Sequence, residues 1–218
     1  MRHAVTTILF ASFLGTALAA PPPAPAPKAD TIAVLKITRD IRVLATPVVA
    51  FESCADPAKR KEALLKEAQD AHKKWEADEE AFRGDKANKG REFVELEPEA
   101  VSVSVAKEHL TQAEADAYVK EATEKALRWD VVRFTDCHKR AQVLAMEPSK
   151  IRAKMTSLLD EFRTRYDAWQ KQMQAPPPHG GGPPPPVVTR PTKPKAEKAV
   201  DKDFTTQKEA EEAAKGIK

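Results

Sequence analysis

Fourteen of the eighteen prolines in this 218-residue chain fall in two short segments, and that distribution limits what the chain can fold into. Five lie within 21–27 and nine within 176–194. Proline fixes φ and lacks an amide donor, so neither run can hold a helix or a sheet interior. The first, Pro21 to Pro27, reads as an extended spacer. The second, from Pro176 through Gly180-Gly181-Gly182 to Pro186, reads as a linker that packs no core. The foldable part is therefore residues 30–174, one domain with enough chain to bury a core. Residues 175–218 read as a disordered Pro/Gly-rich linker and a Lys/Glu/Ala-rich tail, with a weak helix from Thr205 to Lys215.

Residues 1–19 have the layout of a cleavable signal peptide. Met1-Arg2-His3 is a short basic start, Ala4 to Leu18 carries no charge, and Ala17-Leu18-Ala19 offers small residues on either side of Leu18. An apolar run of about 15 residues is short of the ~20 that span a bilayer as a helix. Cleavage after Ala19 leaves 20–29 as the Pro-rich spacer and places the mature chain in the periplasm or outside the cell. The first cysteine is Cys54, far from the cut, and no later stretch is apolar enough to form a transmembrane segment.

Charge is balanced, with 36 Lys+Arg against 33 Asp+Glu. A dedicated nucleic-acid binder needs a concentrated basic patch, so that class is excluded. The basic residues Arg190, Lys193, Lys195 and Lys198 lie among the tail prolines. They read either as a solubilising linker or as a weak contact with an anionic envelope surface.

Within 30–174, Pro47, Pro57, Pro98 and Pro148 punctuate the elements. Asp56 as N-cap and Pro57 at the first position open a helix to about Arg83, with Leu64, Ala68, Ala71, Trp75 and Phe82 on one face. Thr111-Gln112-Ala113-Glu114 is a capping box, opening a second helix as far as Met146. A third spans about Ser149 to Met173, where Ile151, Met155, Leu158, Phe162, Tyr166, Trp169 and Met173 recur at helical spacing. In Asp30–Ser53 the steps Val34, Ile37, Ile41, Leu44, Val48 and Phe51 favour a helix bent near Pro47. A strand reading starts at Ile32 and Val34 but fails at Lys36. Phe93–Leu96 and Val101–Val105 can pair as a short hairpin. The expected fold is mainly α: an up-and-down bundle of about four helices with a short β-hairpin, flanked by disordered Pro-rich arms. Trp75, Trp129 and Trp169, one per helix, read as core anchors.

Cys54 and Cys137 are the only thiols, and an exported chain favours their pairing as a disulfide. Such a bridge would contribute roughly 4–5 kcal/mol by restricting the unfolded chain. Cys137 beside His138 is not a nucleophile–base pair on a helix, since neighbours point about 100° apart. No nucleophile elbow, zinc-protease helix motif, phosphate loop or calcium loop is present. His72, His109, His138 and His179 show no metal-ligand spacing. No cofactor, metal or catalytic residue is assigned. The expected function is an exported, non-catalytic protein that binds other exported or envelope proteins as chaperone, adaptor or assembly subunit. The alternative is a bundle that binds a small ligand or metal as sensor or carrier.

Overall fold

The computed structural model describes residues 31–44, 46–174 and 189–217. The expected signal peptide, the first proline run and most of the second linker lie outside the described residues. The expected helical bundle is not what the chain forms. Two three-stranded antiparallel sheets carry the fold, with helices packed on them.

The segment favoured as a bent helix is a hairpin of β1 (Ile32–Asp40) and β2 (Pro47–Cys54). Helix α1 (Pro57–Gly84) follows, and the Asp56 side chain accepts from the Lys59 amide at its N-terminus. The expected second hairpin is absent: 91–99 forms no strand, and β3 (Ala100–Leu110) returns to pair with β1. Helix α2 (Gln112–Ala126) starts on the Thr111 capping box but stops twenty residues short of Met146. The β-branched stretch beyond it makes β4 (Asp130–Thr135) and β5 (Ala141–Met146). Helix α3 (Pro148–Gln174) lies where its periodicity puts it. The tail is also structured: β6 (Lys195–Lys198) pairs with β4, and α4 (Gln207–Lys215) packs behind it.

The order of elements repeats. Each unit is a hairpin, a long helix opened by proline, a third strand paired to the hairpin's first strand, and a short Thr-capped helix. Ile32-Ala33-Val34-Leu35-Lys36-Ile37 matches Trp129-Asp130-Val131-Val132-Arg133-Phe134, with burial differing only at Lys36 against Arg133. Thr111-Gln112-Ala113-Glu114-Ala115 matches Thr206-Gln207-Lys208-Glu209-Ala210, and the last alanine of each is fully buried. Ile32 pairs with Leu110 as Trp129 pairs with Phe204. The chain is thus a tandem pair of ββαβα units.

Both faces of each sheet are covered. Leu35 and Ile37 pack on Leu64 of α1, while Val34 packs on Ala115 of α2. Val132 and Phe134 pack on Ile151 of α3, while Val131 packs on Ala210 of α4. A strand covered on two faces reads as an apolar run rather than an alternation, so the absence of alternation at Lys36 was no argument against β1. The units meet where Ile41, after β1, packs with Val132, Phe134 and Ile151.

The expected disulfide is not formed. Cys54 ends β2 against Leu35 and Leu64, whereas Cys137 is buried in the turn after β4 against the α3 cluster. The two thiols are free and belong to different units.

Candidate functional site

Residues that precede the third strand of each unit, 91–95 before β3 and 190–193 before β6, lie on either side of α3. Residues 91–95 form one wall and 190–193 the other, enclosing a cleft of about 440 Å³. Phe162 and Tyr166 of α3 make its floor, and Phe82 of α1 closes one side.

The first wall is held by side chains rather than by sheet pairing. Among the described residues, no main-chain group from Glu92 to Glu97 bonds another main-chain group. Instead Trp75 Nε1 donates to the Glu95 carbonyl at 3.4 Å, and Arg152 donates to the carbonyls of Leu96 and Glu97 at 3.3 and 2.7 Å. Gly90, at φ 82°, turns the chain into this wall, and its carbonyl accepts from the Tyr166 hydroxyl at 3.3 Å. A positive φ of that kind suits glycine, which has no Cβ to clash. The second wall is tied to the β4–β5 turn by the Thr192 amide, which donates to the Cys137 carbonyl at 2.9 Å.

Aromatic rings run through the site. Phe93 meets Trp75 and Phe82 at centroid distances of 5.7 and 5.5 Å, and Tyr166 meets Phe162 and Trp169 at 5.6 and 5.4 Å. Around them sit four cations. Arg91 pairs with Asp167, Arg163 with Asp160 at 2.7 Å and Glu95 at 3.6 Å, and Lys193 with Glu92 at 3.7 Å. Arg190 differs from the other three. Its guanidinium lies 5.8 Å from the Tyr166 ring and 5.4 Å from the Trp169 ring, and no carboxylate pairs with it among the described residues. Rings hold a guanidinium through the quadrupole of their faces and leave its N–H edge open.

The residues singled out from the sequence are dispersed. Trp169, read as a core anchor, is half-buried at the cleft edge under Arg190. Trp75 backs the first wall, and Trp129 pairs with Phe204 in the second sheet. Of the basic tail, Arg190 and Lys193 line the cleft, while Lys198 lies 3.4 Å from buried Asp130 and 2.9 Å from Asp203. Lys195 is exposed on β6. His72 lies beside Glu76 and Glu97 on α1, and His179 falls outside the described residues. His138 comes together with Cys137 and Glu161 in the turn after β4. Sequence reasoning missed Asp130 and Glu161, because neither lies near its partners in the chain.

No protein-family model matches this chain, and comparison with curated proteins and with solved structures finds no similar protein.

Proposed function

We propose that this chain is an exported, non-catalytic binding protein whose cleft receives an extended acidic segment of another exported or envelope protein. The observation that carries this reading is Arg190, a cation over two rings at the cleft with no carboxylate partner among the described residues. A carboxylate in the cleft would accept two parallel N–H bonds along one edge of that guanidinium, a charge-assisted contact stronger than a neutral hydrogen bond. Among the described residues the wall at 92–95 has main-chain groups outside any sheet, and an extended peptide can pair with these as an added strand does. Phe162, Tyr166 and Phe93 supply apolar area for the side chains between the acids. Export rests on residues 1–19, and the attraction of an anionic envelope surface falls to exposed Lys195 and Lys193.

Trp169 provides the readout. Titrating the mature protein with alternating Glu/Leu peptides should change tryptophan emission saturably, and salt should weaken the effect. Arg190→Ala should lower affinity about tenfold, the size expected for losing one charge-assisted bond. Arg128→Ala, in the loop before β4, should leave it unchanged. Equal binding by parent and Arg190→Ala would reject the reading. A cleft of about 440 Å³ also lies in the size range of small-ligand sites. Saturation by benzoate but not by peptides would favour a small carboxylated ligand instead.

A further inference from the structure

The turn between β4 and β5 brings the adjacent Cys137 and His138 against Glu161 of α3, three potential metal ligands. The Cys137 sulfur, a His138 ring nitrogen and a Glu161 carboxylate oxygen all lie within 4.8 Å of one another, with Sγ 3.8 Å from Glu161 Oε1. We propose that Cys137, His138 and Glu161 form a binding site for one borderline divalent transition metal, zinc in the first instance. The donors are one sulfur, one nitrogen and one oxygen, a mixture that suits zinc or cobalt and does not suit calcium or magnesium, which take oxygen alone.

The frame around these side chains is built. Asp136 Oδ1 accepts from the amides of His138 and Arg140 at 2.8 and 3.0 Å, and its Oδ2 accepts from Arg140 Nε at 2.8 Å. Lys139 takes φ 61° to complete the turn, and the Thr192 amide pins the Cys137 carbonyl. Glu161, on α3, is oriented by Arg165 Nε at 2.9 Å. Such outer contacts fix ligand direction in metal sites. A tetrahedral zinc ion with bonds of about 2.0–2.3 Å needs its ligand atoms roughly 3.3–3.8 Å apart. The sulfur–carboxylate pair already has that spacing, and His138, exposed at the surface, closes the rest by side-chain rotation.

Beside the cluster, a cavity of about 340 Å³ bounded by Phe134, Gln142, Leu158 and Glu161 leaves room for water as the fourth ligand. Binding replaces the thiol proton by the metal: Cys137–SH and M²⁺ give Cys137–S–M⁺ and a proton released to solvent. The carboxylate then neutralises the remaining charge. Nothing in this site depends on what occupies the cleft.

The test uses the reduced, tag-free mature protein titrated with cobalt(II) alone. One equivalent should produce a sulfur-to-cobalt charge-transfer band with tetrahedral visible bands, and zinc(II) should displace it. Cys54→Ser should keep the full signal and Cys137→Ser should abolish it. His138→Ala and Glu161→Gln should each weaken binding about tenfold or more. His138 is exposed, so its variant reports on ligation without the risk of unfolding the turn, and circular dichroism verifies the others. No band with reduced Cys137 present, a band that survives Cys137→Ser, or unchanged affinity in both His138→Ala and Glu161→Gln would each overturn the site.

Discussion

Asp130 stands in the second unit where Ala33 stands in the first: each precedes the fully buried valine of its central strand, and each is itself buried. A buried methyl is ordinary, but a buried carboxylate is not. Among the described residues the oxygens of Asp130 meet no well-formed hydrogen bond, and the Lys198 ammonium lies 3.4 Å from one of them and 2.9 Å from Asp203, a second carboxylate beside the site. Burial pushes the Asp130 carboxyl above the usual range, with the Thr46 hydroxyl and Lys198 opposing, while the Lys198 hydrogen bond holds Asp203 below it.

An acid with a raised folded pKa keeps its proton longer in the folded state. Its stabilising contribution is complete below the unfolded pKa of about 4 and is lost as pH climbs through the folded value. Asp203 works oppositely, contributing above its unfolded pKa and losing that contribution as pH falls through its depressed one. Asp130→Asn should therefore be more stable than the parent at pH 7, by roughly 1 kcal/mol, because the buried side chain no longer carries a charge. The advantage should shrink as pH is lowered towards 4, as thermal melts across that range would record. A less stable variant at pH 7 would mean that the Lys198 pair outweighs the burial.

The two short helices are capped alike but not equally. Thr111 and Glu114 bond reciprocally, with the Thr111 amide donating to Glu114 Oε2 at 2.8 Å and the Glu114 amide to Thr111 Oγ1 at 3.4 Å. At Thr206 the Glu209 amide donates to the hydroxyl at 3.3 Å, and no return bond is made. Thr111→Ala and Thr206→Ala should each cost about 1 kcal/mol, the first more than the second. The caps lie in different units and share no partner, so the double variant should equal the sum within about 0.5 kcal/mol. Urea denaturation of the four proteins measures this.

Much of the local structure was legible in the sequence, and its larger arrangement was not. Asp56-Pro57, the Thr111 box and the apolar spacing from Ile151 to Tyr166 identify three helices because caps and one-sided burial act within a few residues. Val101–Val105 reads as a strand and lies within β3, but the other strands escaped notice for the opposite reason. Val34, Ile37, Ile41, Leu44 and Val48 recur at helical spacing, yet they serve different faces and different clusters, settled by pairing with β3 and packing on α3. The long helix expected from Thr111 fails at Leu127, where β-branched Val131 and Val132 favour a strand with two covered faces. The unit repeat shows in Thr111–Ala115 and Thr206–Ala210 once the strands are aligned. The proline runs drew a boundary at 174 that β6 crosses. As for the cleft, Arg190 and Lys193 were noticed only as part of a basic tail. Their placement over α3 depends on β6 pairing with β4.

Arg152 connects the units from a single position. Its guanidinium donates to the carbonyls of Leu96 and Glu97 in the first wall and, at 3.4 Å, to that of Ile41 after β1. Arg152→Ala strands three acceptors and should destabilise the protein by about 2 kcal/mol. Lysine should recover little, since a compact ammonium lacks the planar fork that spans separated acceptors. Limited proteolysis should cut within 92–97 faster in both variants, with β1 and β3 protected as in the parent. Because that segment is a wall of the cleft, peptide affinity should fall along with its protection.

The thiols test the architecture as a whole. In an exported bundle, Cys54 and Cys137 would bridge and lend roughly 4–5 kcal/mol through loop closure. In the two-unit fold, Cys54 sits among Leu35 and Leu64 while Cys137 sits among Val94, Met155 and Phe162. A bridge would require one of those clusters to open. Protein purified without reductant and alkylated after unfolding should therefore take up two alkyl groups, one per cysteine. Its melting temperature should not move when reductant is added. Cys54→Ala should cost little because the site is half-buried. Cys137→Ala should cost about 1–2 kcal/mol for the small cavity left beside α3. A chain that refuses alkylation until reduced would bring Cys54 against the β4–β5 turn, which the packing of β2 on β1 does not allow.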